Sequence, residues 1–150
     1  MKHNPLALIA VIIFALEALF YFFVSILSGF SYISIIYIAS MCILAYYTYS
    51  EREKERGLLW GSILYAVFNL IAFIYRLDIP GFVVFLGSLM FAGMMFMCCK
   101  NNKSLLKNFY FLPPLVIFIG LILMGFPVST MSINTLLEPI GILLMLMTLN

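Results

Sequence analysis

Two carboxylates stand in otherwise apolar surroundings. Glu17 lies in the run Phe14-Ala15-Leu16-Glu17-Ala18-Leu19, and Glu138 in Leu136-Leu137-Glu138-Pro139-Ile140. A charged carboxylate at the middle of a bilayer costs about 2.5–3.5 kcal/mol on insertion scales, so it must face a bundle or wet cavity, bind a proton, or find a partner. The chemistry open to such a group is that of a proton, cation or substrate ligand. The structural alternative is a neutral glutamic acid hydrogen-bonded to another helix.

A polar stripe accompanies them. Tyr65, Asn69, Ala72 and Arg76 recur at four- and three-residue spacing and therefore share one helical face. With a rise of ~1.5 Å per residue, Glu17, Asn69 and Glu138 fall within roughly 5 Å of one depth. If their faces converge, two carboxylates, a carboxamide and a helix break line a mid-membrane pocket suited to proton or cation coupling. If they do not, each is a separate interhelical hydrogen bond worth about 0.6–2 kcal/mol. Glu17, Asn69, Glu138, Arg76 and Tyr65 are the ligand- or ion-binding residues expected on this basis. Arg76 and Asp78 otherwise read as an exposed interfacial pair, with Arg76 reaching for the headgroups.

The other reactive side chains assemble no motif. The only histidine is His3, and Cys42, Cys98 and Cys99 contain no CxxC pair, so no metal site and no cofactor is expected. Ser25, Ser28, Ser62 and Ser88 have no histidine or lysine at membrane depth to act as base, which makes an enzyme the weakest reading. Met90, Met94, Met95 and Met97 resemble a soft-metal set, but only Met90 and Met94 share a face. Met95 and Met97 are expected to point elsewhere, so adaptable packing is the better account. In Glu51-Arg52-Glu53-Lys54-Glu55-Arg56 the charges alternate, as in a solvated helix extension with local ion pairs.

The elements that must hold these residues follow from composition. Of the 150 residues, 65% are hydrophobic and only 9% are charged, and the mean hydropathy is +1.17. A water-facing surface needs more charge than that, which excludes a soluble globular enzyme, a disordered tail and a disulfide scaffold. The net charge of +2 gives no footprint for nucleic acid. The pattern predicts an all-α integral membrane protein, a single domain forming a compact bundle of six transmembrane helices. Their spans are about 5–27, 32–49, 57–75, 80–99, 109–126 and 133–149, with no soluble domain. The first span is too long for a cleaved signal's apolar region and reads as a membrane helix. Pro113-Pro114 fit a helix start, whereas Pro139 is expected to kink or break the last helix, or to mark a shorter helix beginning near Glu138 after a re-entrant lead-in.

Charge supports this count. Lys2, Arg52, Lys54, Arg56, Lys100, Lys103 and Lys107 fall on one side and only Arg76 on the other. The positive-inside rule then puts both termini in the cytoplasm, in an expected prokaryotic plasma membrane. Gly57 and Gly61 form a GxxxG, and Ser88 and Ala92 recur on the fourth span; these four are helix-packing notches within the chain or, alternatively, a homo-oligomer seam. Tyr32, Tyr37, Tyr46, Tyr47, Tyr49, Tyr75, Phe109, Tyr110 and Phe111 fit interfacial aromatic belts. The expected function is a small transporter, or a transporter's substrate-binding membrane subunit. The alternative is a non-catalytic accessory, sensor or assembly subunit of a larger complex. Partners are accordingly the lipid bilayer, a small solute or a proton or cation, and a partner subunit or second copy.

Overall fold

The computed structural model describes residues 5–50, 53–123 and 136–149. Among them are seven helices: α1 Pro5–Ser28, α2 Tyr32–Tyr49, α3 Lys54–Arg76, α4 Ile79–Cys99, α5 Ser104–Phe109, α6 Leu112–Leu123 and α7 Leu137–Leu149. Helices α1 to α4 are each long and apolar enough to cross a membrane. Helices α6 and α7, with 12 and 13 residues, extend only about 18–20 Å, short of the ~30 Å hydrocarbon core. The ends expected at 124–126 and 133–135, and any re-entrant lead-in, lie outside the described residues.

Local chemistry sets the turns. Gly29 takes a left-handed φ of 96° after α1, and its N–H closes on the Ser25 carbonyl, the usual role of a glycine just past a helix. Ser31 then caps α2 by accepting from the Ser34 N–H at 3.3 Å. Asp78 caps α4, accepting from the Gly81 N–H at 2.9 Å. Pro80 sits in that helix's first turn, where its missing N–H leaves no ladder bond unmade.

The helices close into a ring. Helix α1 packs on α2, α2 on α3, α3 on α4, α4 on α6, α6 on α7, and α7 returns to α1. Glycines set the spacing of several seams. A Cβ on Gly57 would stand 2.1 Å from Cγ of Tyr47, and one on Gly61 2.9 Å from Cδ2 of Leu44, so the GxxxG of α3 is filled by α2 of the same chain. Gly87 and Gly120 do the same between α4 and α6, against Ile117 and Val84 respectively. Ser88 is buried and donates to its own helix's Phe85 carbonyl at 2.7 Å. Ala92 is half-buried and lines a shallow apolar groove with Ala66 and Leu70 of α3.

Three expectations meet the structure here. Of the two expectations for Pro139, the shorter helix near Glu138 is the one found: α7 begins at Leu137, so Pro139 occupies its first turn, where proline is tolerated, and does not kink it from within. Within the basic loop lies the short helix α5, held by Leu106, which is buried in the core. Glu55, expected to pair locally, instead reaches Lys103 at 3.1 Å, joining the start of α3 to the segment after α4. Glu51, Arg52 and Lys2 lie outside the described residues. Of the remaining basic residues, Lys54, Arg56, Lys100, Lys103 and Lys107 sit around that end of the bundle, and Arg76 closes the other end of α3.

Candidate functional site

Inside the ring, four elements bring polar side chains to one point. Helix α1 supplies Glu17, α2 supplies Tyr37, α3 supplies Tyr65, and the first turn of α7 supplies Glu138. All four are buried: Glu17, Tyr37 and Tyr65 are 0% exposed and Glu138 is 3% exposed. The Tyr37 hydroxyl faces both carboxylates, reaching Oε2 of Glu17 at 3.3 Å and Oε1 of Glu138. Tyr65 donates to the other oxygen of Glu138, Oε2, at 2.7 Å. The result is a continuous chain of oxygens, Glu17–Tyr37–Glu138–Tyr65, spanning the interior from α1 to α3.

Hydrogen-bond counting gives this chain its chemical character. A phenol carries one proton, and an ionised carboxylate only accepts. Tyr37 can therefore donate to one carboxylate at a time, and its donation can alternate between Glu17 and Glu138. A carboxyl proton or a cation is what lets both contacts be favourable together. The surroundings are otherwise apolar and aromatic. Tyr21, one turn beyond Glu17, has its ring centroid 4.0 Å from that of Tyr37, and Phe68 lies 4.7 Å from Tyr37 and 6.4 Å from Tyr21. These rings restrict how the Tyr37 phenol can swing. Gly141, one turn after Glu138, lets α7 approach α1: a Cβ there would stand 2.9 Å from Ile13 Cγ2 and 3.2 Å from Phe14 Cε1.

The residues singled out from sequence are placed as follows. Glu17, Tyr65 and Glu138 meet. Asn69 is buried one turn beyond Tyr65, and its side-chain amide donates to the Tyr65 carbonyl at 3.1 Å, so it braces the helix that carries Tyr65. Arg76 lies eleven residues beyond Tyr65, about 16 Å along the helix. It is exposed and forks onto Asp78, with Nε at 3.1 Å and Nη2 at 3.0 Å from Oδ2. The Arg76 guanidinium and the Gly81 N–H hold the Asp78 carboxyl below its ordinary value. This pair orders the α3–α4 turn.

Tyr37 corrects the sequence reading. It was expected in an interfacial belt, yet its hydroxyl is the hub of the site. Tyr32, Tyr46, Tyr49 and Tyr75 are exposed, as belt residues should be, and the Tyr32 and Tyr75 hydroxyls meet at 3.0 Å. The available signal was position: Tyr37 lies five residues inside α2, and a buried phenol requires a polar partner. Met97 is a second correction, since it shares an apolar groove with Met90 and Met94. Among the described residues no cluster of three or more histidine, cysteine, aspartate or glutamate side chains could hold a metal ion.

Compared with protein-family models, curated proteins and solved structures, the chain matches none.

Proposed function

We propose that this protein is a small multi-pass membrane transporter, or the substrate-binding membrane subunit of one, that works by moving a proton or small cation through the Glu17–Tyr37–Glu138 site. The observation that carries the reading is one buried phenol shared by two carboxylates from helices at opposite ends of the sequence. Magnitudes favour a working site over mere adhesion. Two ionised carboxylates at the bilayer centre cost about 5–7 kcal/mol together, whereas the two interhelical hydrogen bonds that the Tyr37 and Tyr65 protons can then make contribute only about 1–4 kcal/mol. Packed apolar side chains of similar volume often hold a bundle as well as such a cluster or better, so adhesion alone is a weak account of it.

In this reading six spans cross the membrane with both termini cytoplasmic, and the end bearing Lys54, Arg56, Lys100, Lys103 and Lys107 faces inward. The described site is closed, its oxygens within hydrogen-bonding distance. A proton fits without rearrangement, whereas a larger cation requires α7 to move away from α1 and α2. Helix α7 is suited to that movement, being short and carrying Glu138 in its first turn. The GxxxG of α3 is occupied by α2, which supports packing within the chain over a seam between copies at that face.

Ligand-dependent stabilisation tests the proposal. Purified protein is melted at several pH values with Na⁺, K⁺ and a panel of small organic cations, because a ligand that binds only the folded state raises the melting temperature by mass action. A cation- or pH-dependent rise in the wild type that disappears in Glu17→Gln and in Glu138→Gln is expected. The same rise in both variants, or none in the wild type, overturns the site assignment.

A further inference from the structure

An apolar groove of about 470 Å³ opens on the outside of the ring, away from the carboxylates, where α4, α5 and α6 meet. Met90, Gly93 and Met97 of α4, Leu105 and Phe109 of α5, and Pro113 of α6 line it. Nothing lies within 4 Å of where a Gly93 Cβ would be, so the trough is open there. A groove of this size with flexible methionine walls suits a chain-like apolar occupant of variable shape. Charge at one end narrows the choice. The Lys100 ammonium stands 4.9 Å above the ring of Phe96, which also lines the groove, and Lys107 lies in the last turn of α5, the helix that carries the lining residues Leu105 and Phe109. Lys103, between them in sequence, is engaged by Glu55 at 3.1 Å, which ties the segment before α5 to the start of α3.

We infer that the groove holds one acyl chain of an anionic phospholipid, with the lipid's phosphate at Lys100 and Lys107. Basic clusters where membrane helices meet the headgroup layer are the ordinary recognition device for anionic lipids. An acyl chain beneath such a cluster satisfies both halves of the surface, apolar trough and cationic rim. The bound lipid would brace α5, a six-residue helix that connects α4 to α6. The inference rests on the bundle's being embedded in a membrane and is independent of transport. Glu17→Gln and Glu138→Gln should leave it untouched.

Native mass spectrometry of the full chain released from bilayers of equal phosphatidylglycerol and phosphatidylcholine tests it. The wild type is expected to retain phosphatidylglycerol in preference to phosphatidylcholine. Lys100→Gln with Lys107→Gln should abolish the preference, and Gly93→Leu, which fills open space, should remove the retained lipid without lowering the melting temperature. Equal retention of both lipids by the wild type overturns the proposal, as does unchanged phosphatidylglycerol retention in Gly93→Leu. A lipid-free dimer that Gly93→Leu dissociates would assign the groove to a second copy and overturn it equally.

Discussion

The hydroxyl of Tyr37 lies within hydrogen-bonding distance of Glu138, 101 residues further along the chain, while its other contact is Glu17 at 3.3 Å. Helices α1, α2 and α7 are thereby tied through one oxygen. Because a single phenolic proton serves two acceptors, changes at Glu17 must be felt at Glu138.

Removing that oxygen is the first test of the coupling. Tyr37→Phe should lower stability by about 1–3 kcal/mol, the usual cost of leaving a buried acceptor without its donor. Glu17→Gln and Glu138→Gln should be non-additive in the wild-type background and close to additive when Tyr37 is already phenylalanine. A double-mutant cycle followed by thermal or denaturant melting in detergent measures this. Equal interaction energies in the two backgrounds would mean the carboxylates communicate by some other route.

Glycine substitutions separate packing within the chain from association between chains. Gly57→Leu places atoms where the Tyr47 ring already lies, 2.1 Å from a Cβ at that position, and should destabilise by about 1–3 kcal/mol through overpacking. Gly120→Ala meets Val84 Cγ2 at 2.6 Å and its backbone nitrogen at 2.9 Å, and should also destabilise. Gly93→Ala meets nothing and should be neutral or stabilising by up to about 1 kcal/mol, since alanine is the better helix former. Melting of the three variants at fixed protein concentration checks the order. A Gly57→Leu protein that melts normally but changes its oligomeric mass would relocate the GxxxG to a subunit interface.

The Arg76–Asp78 pair carries a pH dependence of known sign. Asp78 has a folded-state pKa below its ordinary 3.8, chiefly because Arg76 hydrogen-bonds the ionised form. Its contribution is therefore fully present above about pH 4 and is lost as pH falls through the lower, folded-state value. Wild type and Asp78→Asn should differ in melting temperature at neutral pH and converge at more acidic pH, with the gap small because the pair is solvent-exposed. A gap that widens on acidification would contradict this assignment.

Much of the arrangement is legible in the residues themselves. Glu17 and Glu138 announce themselves because ionisable groups are costly in apolar runs, and their similar depth follows from counting residues along helices. The meeting of their faces is not legible, because rotation of each helix about its axis depends on seams such as Gly57–Tyr47 and Gly120–Val84, where one glycine answers a particular side chain on another helix. Tyr37 is hidden for the same reason. Tyrosine near a span end is usually interfacial, and only the fold shows that this one turns inward. The start of α7 at Leu137 is half-legible: proline both breaks a helix and begins one, and the choice depends on the segment before it. Helix α5 is obscured by Lys107 and the preceding Lys103, which read as loop although Leu106 anchors it.

The proposed transport of a proton or cation through one site formed by Glu17 and Glu138 can be followed across a bilayer. Proteoliposomes loaded with a pH-sensitive dye test it most directly. A Na⁺ or K⁺ gradient, or a gradient of whichever organic cation stabilises the protein, is imposed while internal pH is followed. Wild-type vesicles should show a gradient-driven pH change. Glu17→Gln and Glu138→Gln, each still melting cooperatively, should fall to the level of protein-free vesicles, with Tyr37→Phe strongly reduced. A pH change of equal size in wild type and both glutamine variants would rule out transport through these carboxylates, as would a wild type indistinguishable from empty vesicles under every gradient.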